Sequence, residues 1–127
     1  MVIGSGVPFV QLPCYGVVSS FTISKTELEY WLANKNPLAD YLVRAAIKEA
    51  ESYVSGEPWT RVIWDVTAVA WLINHDDNTA FMWSEIRERH IPGYDGKYHK
   101  CENTAPMCYV NAIHRDALMK DLIKKLL

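Results

Sequence analysis

The sequence lacks the features that would place it in several common classes of protein. Its net charge is −2, with 13 Lys and Arg against 15 Asp and Glu, so we expect no surface for nucleic acid. No apolar run approaches the roughly 20 residues of a membrane-spanning helix. The first residues lack the basic charge and the long apolar segment of a signal peptide. We therefore expect a cytoplasmic protein that does not enter a membrane.

Cysteine is scarce, and so are the short motifs that identify many enzymes. The three cysteines, Cys14, Cys101 and Cys108, are odd in number and far apart, which argues against a disulfide framework. The chain has no glycine-rich phosphate loop followed by lysine and no Gly-x-Ser-x-Gly motif. Sequence motifs therefore suggest neither a phosphate-binding loop nor a serine nucleophile.

Apolar and aromatic residues are abundant. Half of the 127 residues are hydrophobic, and five are tryptophan and seven tyrosine. This composition excludes a disordered chain, and the length suits one domain with one core. So many large aromatic side chains need a large core or a partner surface.

The pattern of turns, caps and apolar runs predicts an α/β chain of one domain, residues 1–127, with helices covering a mostly parallel sheet. Ser24 and Glu27 form the sequence of a capping box, and Asn36-Pro37 is typical of a helix start. Residues 81–91 fit a short helix or an irregular segment. We predict strands at 7–12, 62–63 and 107–113, and helices from 25, 37, 66 and 116.

Apolar spacing also predicts which faces of the helices are buried. The first helix places Leu28, Trp31 and Leu32 on one face. The second helix has one apolar stripe, formed by Leu38, Tyr41, Leu42, Ala45 and Ala46, and the last helix has another, formed by Leu118, Leu122 and Leu126.

Asp65 is the most informative acidic residue. It follows the β-branched pair Val62-Ile63 and precedes the apolar run 66–73. One interpretation is a helix N-cap; the other is a ligand for a hard metal ion beyond the end of a strand. The preceding residue, Trp64, either fills the core or stacks on a flat ligand. One carboxylate does not complete a calcium or magnesium site.

Three other polar clusters are weaker candidates. His75-Asp76-Asp77 has the composition of a metal site, but we expect a solvated loop there. His99-Lys100-Cys101 with Cys108 offers soft ligands at no recognised zinc spacing. His114-Arg115-Asp116 is typical of a strand-to-helix junction, with Asp116 as the cap.

Four segments stand out together: Ser5-Gly6-Val7-Pro8-Phe9-Val10-Gln11-Leu12-Pro13, Thr26-Glu27-Leu28-Glu29-Tyr30-Trp31-Leu32, Val62-Ile63-Trp64-Asp65-Val66-Thr67-Ala68-Val69-Ala70 and Ile113-His114-Arg115-Asp116-Ala117-Leu118. With their spacing, these segments resemble the later half of the inosine/uridine-preferring nucleoside hydrolase family. The resemblance runs the length of the chain.

The resemblance implies hydrolysis of the N-glycosidic bond of ribonucleosides to ribose and free base, with one bound Ca²⁺. Asp65 matches a metal-ligand aspartate of the family. Trp64 matches the position before it, where some members have a histidine that assists the leaving base and others a stacking tryptophan. Indole has no proton to give at neutral pH, so the resemblance implies that Trp64 stacks on the base.

The sequence departs from the family in its missing N-terminal features. The aspartate cluster that supplies most calcium ligands and the general base does not occur here. The chain thus resembles the C-terminal part of the family, as a truncated reading frame, a split gene or an engineered fragment would. Three hypotheses follow: a hydrolase part completed by an N-terminal portion on another chain, a non-catalytic remnant or assembly module that binds itself or another protein, and a purine-binding module.

Overall fold

The computed structural model describes residues 3, 5–54, 56, 58–74, 81–100 and 105–127, with Asn74 described by its backbone alone. Four helices lie in these ranges: α1 Lys25–Leu32, α2 Pro37–Tyr53, α3 Val66–Asn74 and α4 Arg115–Leu126. The strands are short: β1 Val10–Gln11, β2 Thr22–Ser24, β3 Thr60–Val62, β4 Met82–Arg87, β5 His90–Pro92, β6 Tyr98–Lys100 and β7 Met107–Ile113.

The starts of α1 and α2 confirm the capping predictions. The Ser24 amide donates to Glu27 Oε2 at 2.9 Å, and the Glu27 amide donates to Ser24 Oγ at 3.2 Å. At α2, Asn36 Oδ1 accepts from the Ala39 amide at 2.8 Å, and Pro37 occupies the first turn. Side chains close in sequence satisfy amides that a helix start leaves without backbone partners.

The described strands form three small sheets. In the largest, β7 lies between β1 and β4; it runs parallel to β1 and antiparallel to β4. The other two sheets are the antiparallel pairs β2–β3 and β5–β6. The mixed α/β class is confirmed. A mostly parallel sheet is not, since three of these four strand pairs are antiparallel.

The prediction of a short helix or irregular segment over residues 81–91 is wrong. Met82–Arg87 is strand β4, which pairs with β7 from Met82 opposite Ile113 to Arg87 opposite Met107. A bulge lies between Trp83 and Ser84, and it breaks the alternation that would have identified a strand from the sequence.

The core lies where α1, α2 and α4 meet the strands. α1 buries Leu28 and Leu32 as predicted, but Trp31 remains 45% exposed. α2 buries a stripe about one residue away from the predicted one. Ala39, Val43 and Ala50 are buried; of the predicted residues, Leu42 and Ala46 are half-buried, and Leu38, Tyr41 and Ala45 are exposed. α4 buries Leu118, Met119 and Ile123.

One buried cation ties together the segments that lead into β1 and β7. Arg89 is only 2% exposed. Its guanidinium donates to the backbone carbonyls of Ile3 and Val7, each at 3.0 Å, and of Pro106 at 3.3 Å. The Phe9 ring lies 5.5 Å from the guanidinium carbon. These contacts replace much of the hydration that burial removes.

Candidate functional site

Trp64 and Asp65 form the turn that joins β3 to α3. β3 pairs with β2. The Ile63 amide extends this pairing by donating to the Phe21 carbonyl at 2.9 Å. Thr67, which is 2% exposed, donates its hydroxyl proton to the Trp64 carbonyl at 2.7 Å. The local backbone is thus held from both sides of the turn.

Asp65 lies directly before α3, and its side chain is exposed. The backbone carbonyl of Asp65 accepts from the Ala68 amide at 3.1 Å. Its carboxylate accepts no hydrogen bond from another residue in the described ranges, so the expected side-chain cap is not formed there. The negative charge still lies at the positive end of a helix dipole.

The described residues around Asp65 do not make a calcium site by themselves. No three His, Cys, Asp or Glu side chains cluster as metal ligands in the part of the chain that the structure describes. Calcium takes six to eight oxygen ligands, and Asp65 supplies at most two. Further oxygen donors are required for the ion implied by the family resemblance.

Trp64 is 48% exposed and lines an open groove of about 620 Å³. The rest of the lining comes from α1, α2, α4, the β2–β3 pair, Ile63 and the first residue of α3, Val66, and it is largely apolar. Asp65 is not part of this lining. The two neighbouring side chains therefore do not share the groove.

An apolar surface continues from Asp65 along α3. Val69, Leu72 and Ile73 are 57%, 73% and 56% exposed, and the helix buries mainly Thr67 and Ala70. Most helices of soluble proteins turn such residues inward. Here they form an exposed apolar face of α3, which we define by Val69, Leu72 and Ile73.

The weaker candidates do not assemble into a described metal site. His99 Nε2 lies 2.9 Å from Asp95 Oδ1 at the tip of the β5–β6 hairpin. This contact is the main cause that lowers the pKa of Asp95. His75-Asp76-Asp77 and Cys101 lie outside the described residues, and Cys108 is a half-buried free thiol.

The junction at residues 114–116 belongs to a charged cluster that the sequence interpretation missed. α4 begins at Arg115, so His114 occupies the cap position predicted for Asp116. Arg115 donates to the Thr22 carbonyl at 2.8 Å and to Asp116 Oδ1 at 2.7 Å, and it also pairs with Glu27.

The ionisation of this cluster follows from its hydrogen bonds. The Ser24 amide is the largest cause that lowers the pKa of Glu27, and the Arg115 guanidinium lowers it further. The Asp116 carboxylate is the largest cause that raises the pKa of Arg115. Both members of the Arg115–Glu27 pair are therefore charged at neutral pH.

Within the described ranges, no helix is both long and apolar enough to cross a membrane. No model of a known protein family matches the chain, and no curated protein matches its sequence.

Proposed function

We propose that this chain is the C-terminal part of a nucleoside hydrolase, which cleaves the N-glycosidic bond of ribonucleosides to ribose and free base when an N-terminal portion completes the site. The observation that supports this most directly is Asp65. Its exposed carboxylate precedes an apolar helix and is not used as a cap by the residues described around it. A charge placed there without a structural partner is available to a ligand.

In this proposal Trp64 and Asp65 have separate roles. The half-exposed indole of Trp64 offers a flat apolar surface on which a purine or pyrimidine base stacks. It does not protonate the leaving base, because the indole nitrogen is a donor that stays protonated at neutral pH. Asp65 supplies carboxylate oxygen to a Ca²⁺ ion.

The donor set among the described residues does not fit Ca²⁺ without further ligands. Asp65 belongs to no cluster of three or more candidate ligands there. The remaining oxygen ligands and the general base would come from the completing portion. When bound in such a complete site, Ca²⁺ would position the ribose hydroxyls and activate water.

The exposed apolar surface supports a completing polypeptide. The chain exposes 8612 Å², whereas a compact monomer of 14.5 kDa exposes about 6,900 Å² by the usual scaling of surface with mass. The exposed face of α3 begins at Val69, one helical turn after Asp65. A polypeptide that covers this face would bring its own side chains close to that carboxylate.

A second candidate is a non-catalytic remnant or assembly module of the same fold. The same apolar face of α3 favours it, because exposed patches of this kind mark protein–protein contacts. In this case the chain binds a second copy or another protein through α3, and Asp65 has no chemical role.

The test is release of ribose from inosine and uridine in the presence of Ca²⁺. The isolated chain should release none and should bind Ca²⁺ only weakly in calorimetry. Adding the N-terminal portion of a nucleoside hydrolase, with its aspartate cluster, should produce activity. Asp65→Asn should then lower that activity by about a hundredfold or more, since even the partners of metal ligands typically contribute ten- to a hundredfold.

Glu29→Gln is the matched control, because Glu29 is an exposed acid on α1 away from the groove that holds Trp64. It should leave activity unchanged. Ribose release by the isolated chain that disappears in Asp65→Ala would contradict the need for a second portion. A stable complex that never releases ribose would favour the assembly module instead.

A further inference from the structure

A second groove lies between α1 and α4 and has a volume of about 720 Å³. Trp31 of α1 forms one wall, and Lys120 and Lys124 of α4 lie on the other. Met119 and Ile123 line both this groove and the one that contains Trp64, so the two grooves are neighbours across α4. Neither Trp64 nor Asp65 lines this second groove.

The two lysines carry charge that no described side chain neutralises. They are four residues apart, so they project from the same side of α4. Both are exposed, and neither side chain donates a hydrogen bond or forms an ion pair within the described ranges. Lys125, the next residue, differs because it pairs with Asp121. Lys120 and Lys124 are therefore free to contact an anion.

The carboxylates on the groove wall already bond to an arginine. Glu27 and Asp116 both line the groove, and both bond to the guanidinium of Arg115. Among the side chains of the lining, Arg115, Lys120 and Lys124 thus place three positive charges against two negative ones. The excess positive charge lies with the lysines, of which Lys120 is one helical turn from Asp116.

The aromatic wall is exposed rather than used by the core. Trp31 is 45% exposed although its spacing predicts burial beside Leu28 and Leu32. Its ring meets that of Tyr30 edge-on, with centroids 4.9 Å apart and an interplanar angle of 85°. Tyr30 thus contacts part of an indole that also lines the groove.

We propose that this groove binds a planar aromatic ring carrying a phosphate group, the chemical class of the nucleoside monophosphates. The volume lies within the range of about 300–1,000 Å³ that is typical of small-molecule sites. Stacking on Trp31 suits any base, because every base has a π-face. Two unpaired lysines match a phosphate, which carries about −1.5 to −2 charges at neutral pH.

Adenosine 5′-monophosphate is the first probe, measured by calorimetry with the full chain. It should bind saturably, and adenosine and inorganic phosphate should each bind at least tenfold more weakly. Lys120→Gln/Lys124→Gln should weaken binding at least tenfold. Lys125→Gln is the control for loss of a single positive charge beside Lys124, because Lys125 does not line the groove; binding should change less than twofold.

The aromatic wall has its own pair of variants. Trp31→Leu should weaken binding at least tenfold, whereas Trp83→Leu, at a similar exposure of 43% but outside this groove, should not. Circular dichroism of each variant checks that it is folded. If Trp64→Leu removes binding and Trp31→Leu does not, the nucleotide occupies the other groove and the proposal is wrong.

Two further results would overturn it. Absence of saturable binding at millimolar concentration excludes the ligand class. Equal affinity for adenosine and its monophosphate removes the role of the lysines. None of these results depends on hydrolysis, so the proposal stands or falls separately from the nucleoside hydrolase activity.

Discussion

At Ser24 and Glu27, two side chains three residues apart satisfy backbone amides at the start of α1. The same carboxyl group of Glu27 pairs with Arg115 of α4. One residue therefore stabilises a helix end locally and joins α1 to α4. Removal of the cap should affect both the helix and the packing of the two helices.

Ser24→Ala should lower the free energy of unfolding by about 1 kcal/mol, the usual contribution of a serine cap. Ser52→Ala is the control: the Ser52 hydroxyl donates to the Glu49 carbonyl near the exposed end of α2, and its loss should have an effect within about 0.5 kcal/mol. Urea unfolding measures both. Equal effects would show that the capping box does not stabilise α1.

The free energy of unfolding at acidic pH should depend on the charge of Glu27. Because folding lowers its pKa, its contribution is fully present above the ordinary pKa near 4.5 and is lost as the pH falls through the folded pKa. Urea unfolding across this range should show a shallower pH dependence in Glu27→Gln than in the unchanged chain. An unchanged slope would contradict this role.

Individual residues differ in how well the sequence predicts their contacts. The caps at Ser24 and Asn36 are predictable because their partners are three residues away. Arg89 is not, since its carbonyl partners Ile3 and Val7 lie more than 80 positions earlier. Trp64 and Asp65 are identifiable as candidates from their neighbours, but which of them faces a groove depends on the tertiary fold.

At the scale of elements, helices that carry both caps and a clear period are well predicted. α2 is correct in its start, yet its buried stripe differs from the predicted one by about one residue. Apolar residues lie on more than one side of α2, so packing against α1 helps to decide which side is buried. The prediction of β4 fails for a related reason. Its local sequence pattern is irregular, and its pairing with β7 makes it a strand nevertheless.

The β5–β6 hairpin should be the least protected described sheet. Its strands pair only with each other in the described ranges, and its residues are exposed except for the half-buried Ile91. Isolated hairpins are at best marginally stable, whereas β7 is paired on both sides and buries Met107 and Val110. Hydrogen exchange should therefore be at least about a hundredfold slower in β7 than in the hairpin.

Gly93→Ala sharpens this comparison. A Cβ at Gly93 would lie 2.7 Å from Asp95 Oδ1 and 2.8 Å from the His99 ring, so the pair at the tip must move. Protection in the hairpin should fall further, while β7 serves as the internal control. Equal loss of protection in β7 would show that the hairpin and the central sheet unfold together.

The whole molecule exposes more surface than its mass requires, and the exposed face of α3 accounts for part of the excess. The abundance of tryptophan and tyrosine in the sequence indicates a large core or a partner surface. The structure leaves several of these residues exposed, among them Tyr15, Tyr53 and Trp64. The composition therefore indicates that the chain has more aromatic side chains than its own core buries. Which of them remain exposed depends on the fold.

The isolated chain should associate reversibly through α3, because apolar surface of this kind is costly to leave in water. Sedimentation velocity should show an average mass that rises with concentration. Val69→Lys/Ile73→Lys places two charges one helical turn apart on this face, and complete burial of each side chain contributes about 1.5–3 kcal/mol. The double variant should thus weaken association at least tenfold.

Tyr15→Lys is the control, since Tyr15 is 95% exposed and lies on the loop after β1 rather than on α3. It should associate like the unchanged chain. A folded monomer at every concentration would contradict self-association, and it would leave a different polypeptide as the occupant of this face. Equal association by the double variant would place the contact on another surface. Loss of association only in Val69→Lys/Ile73→Lys would identify the exposed face of α3, one helical turn from Asp65, as the face that a second chain covers.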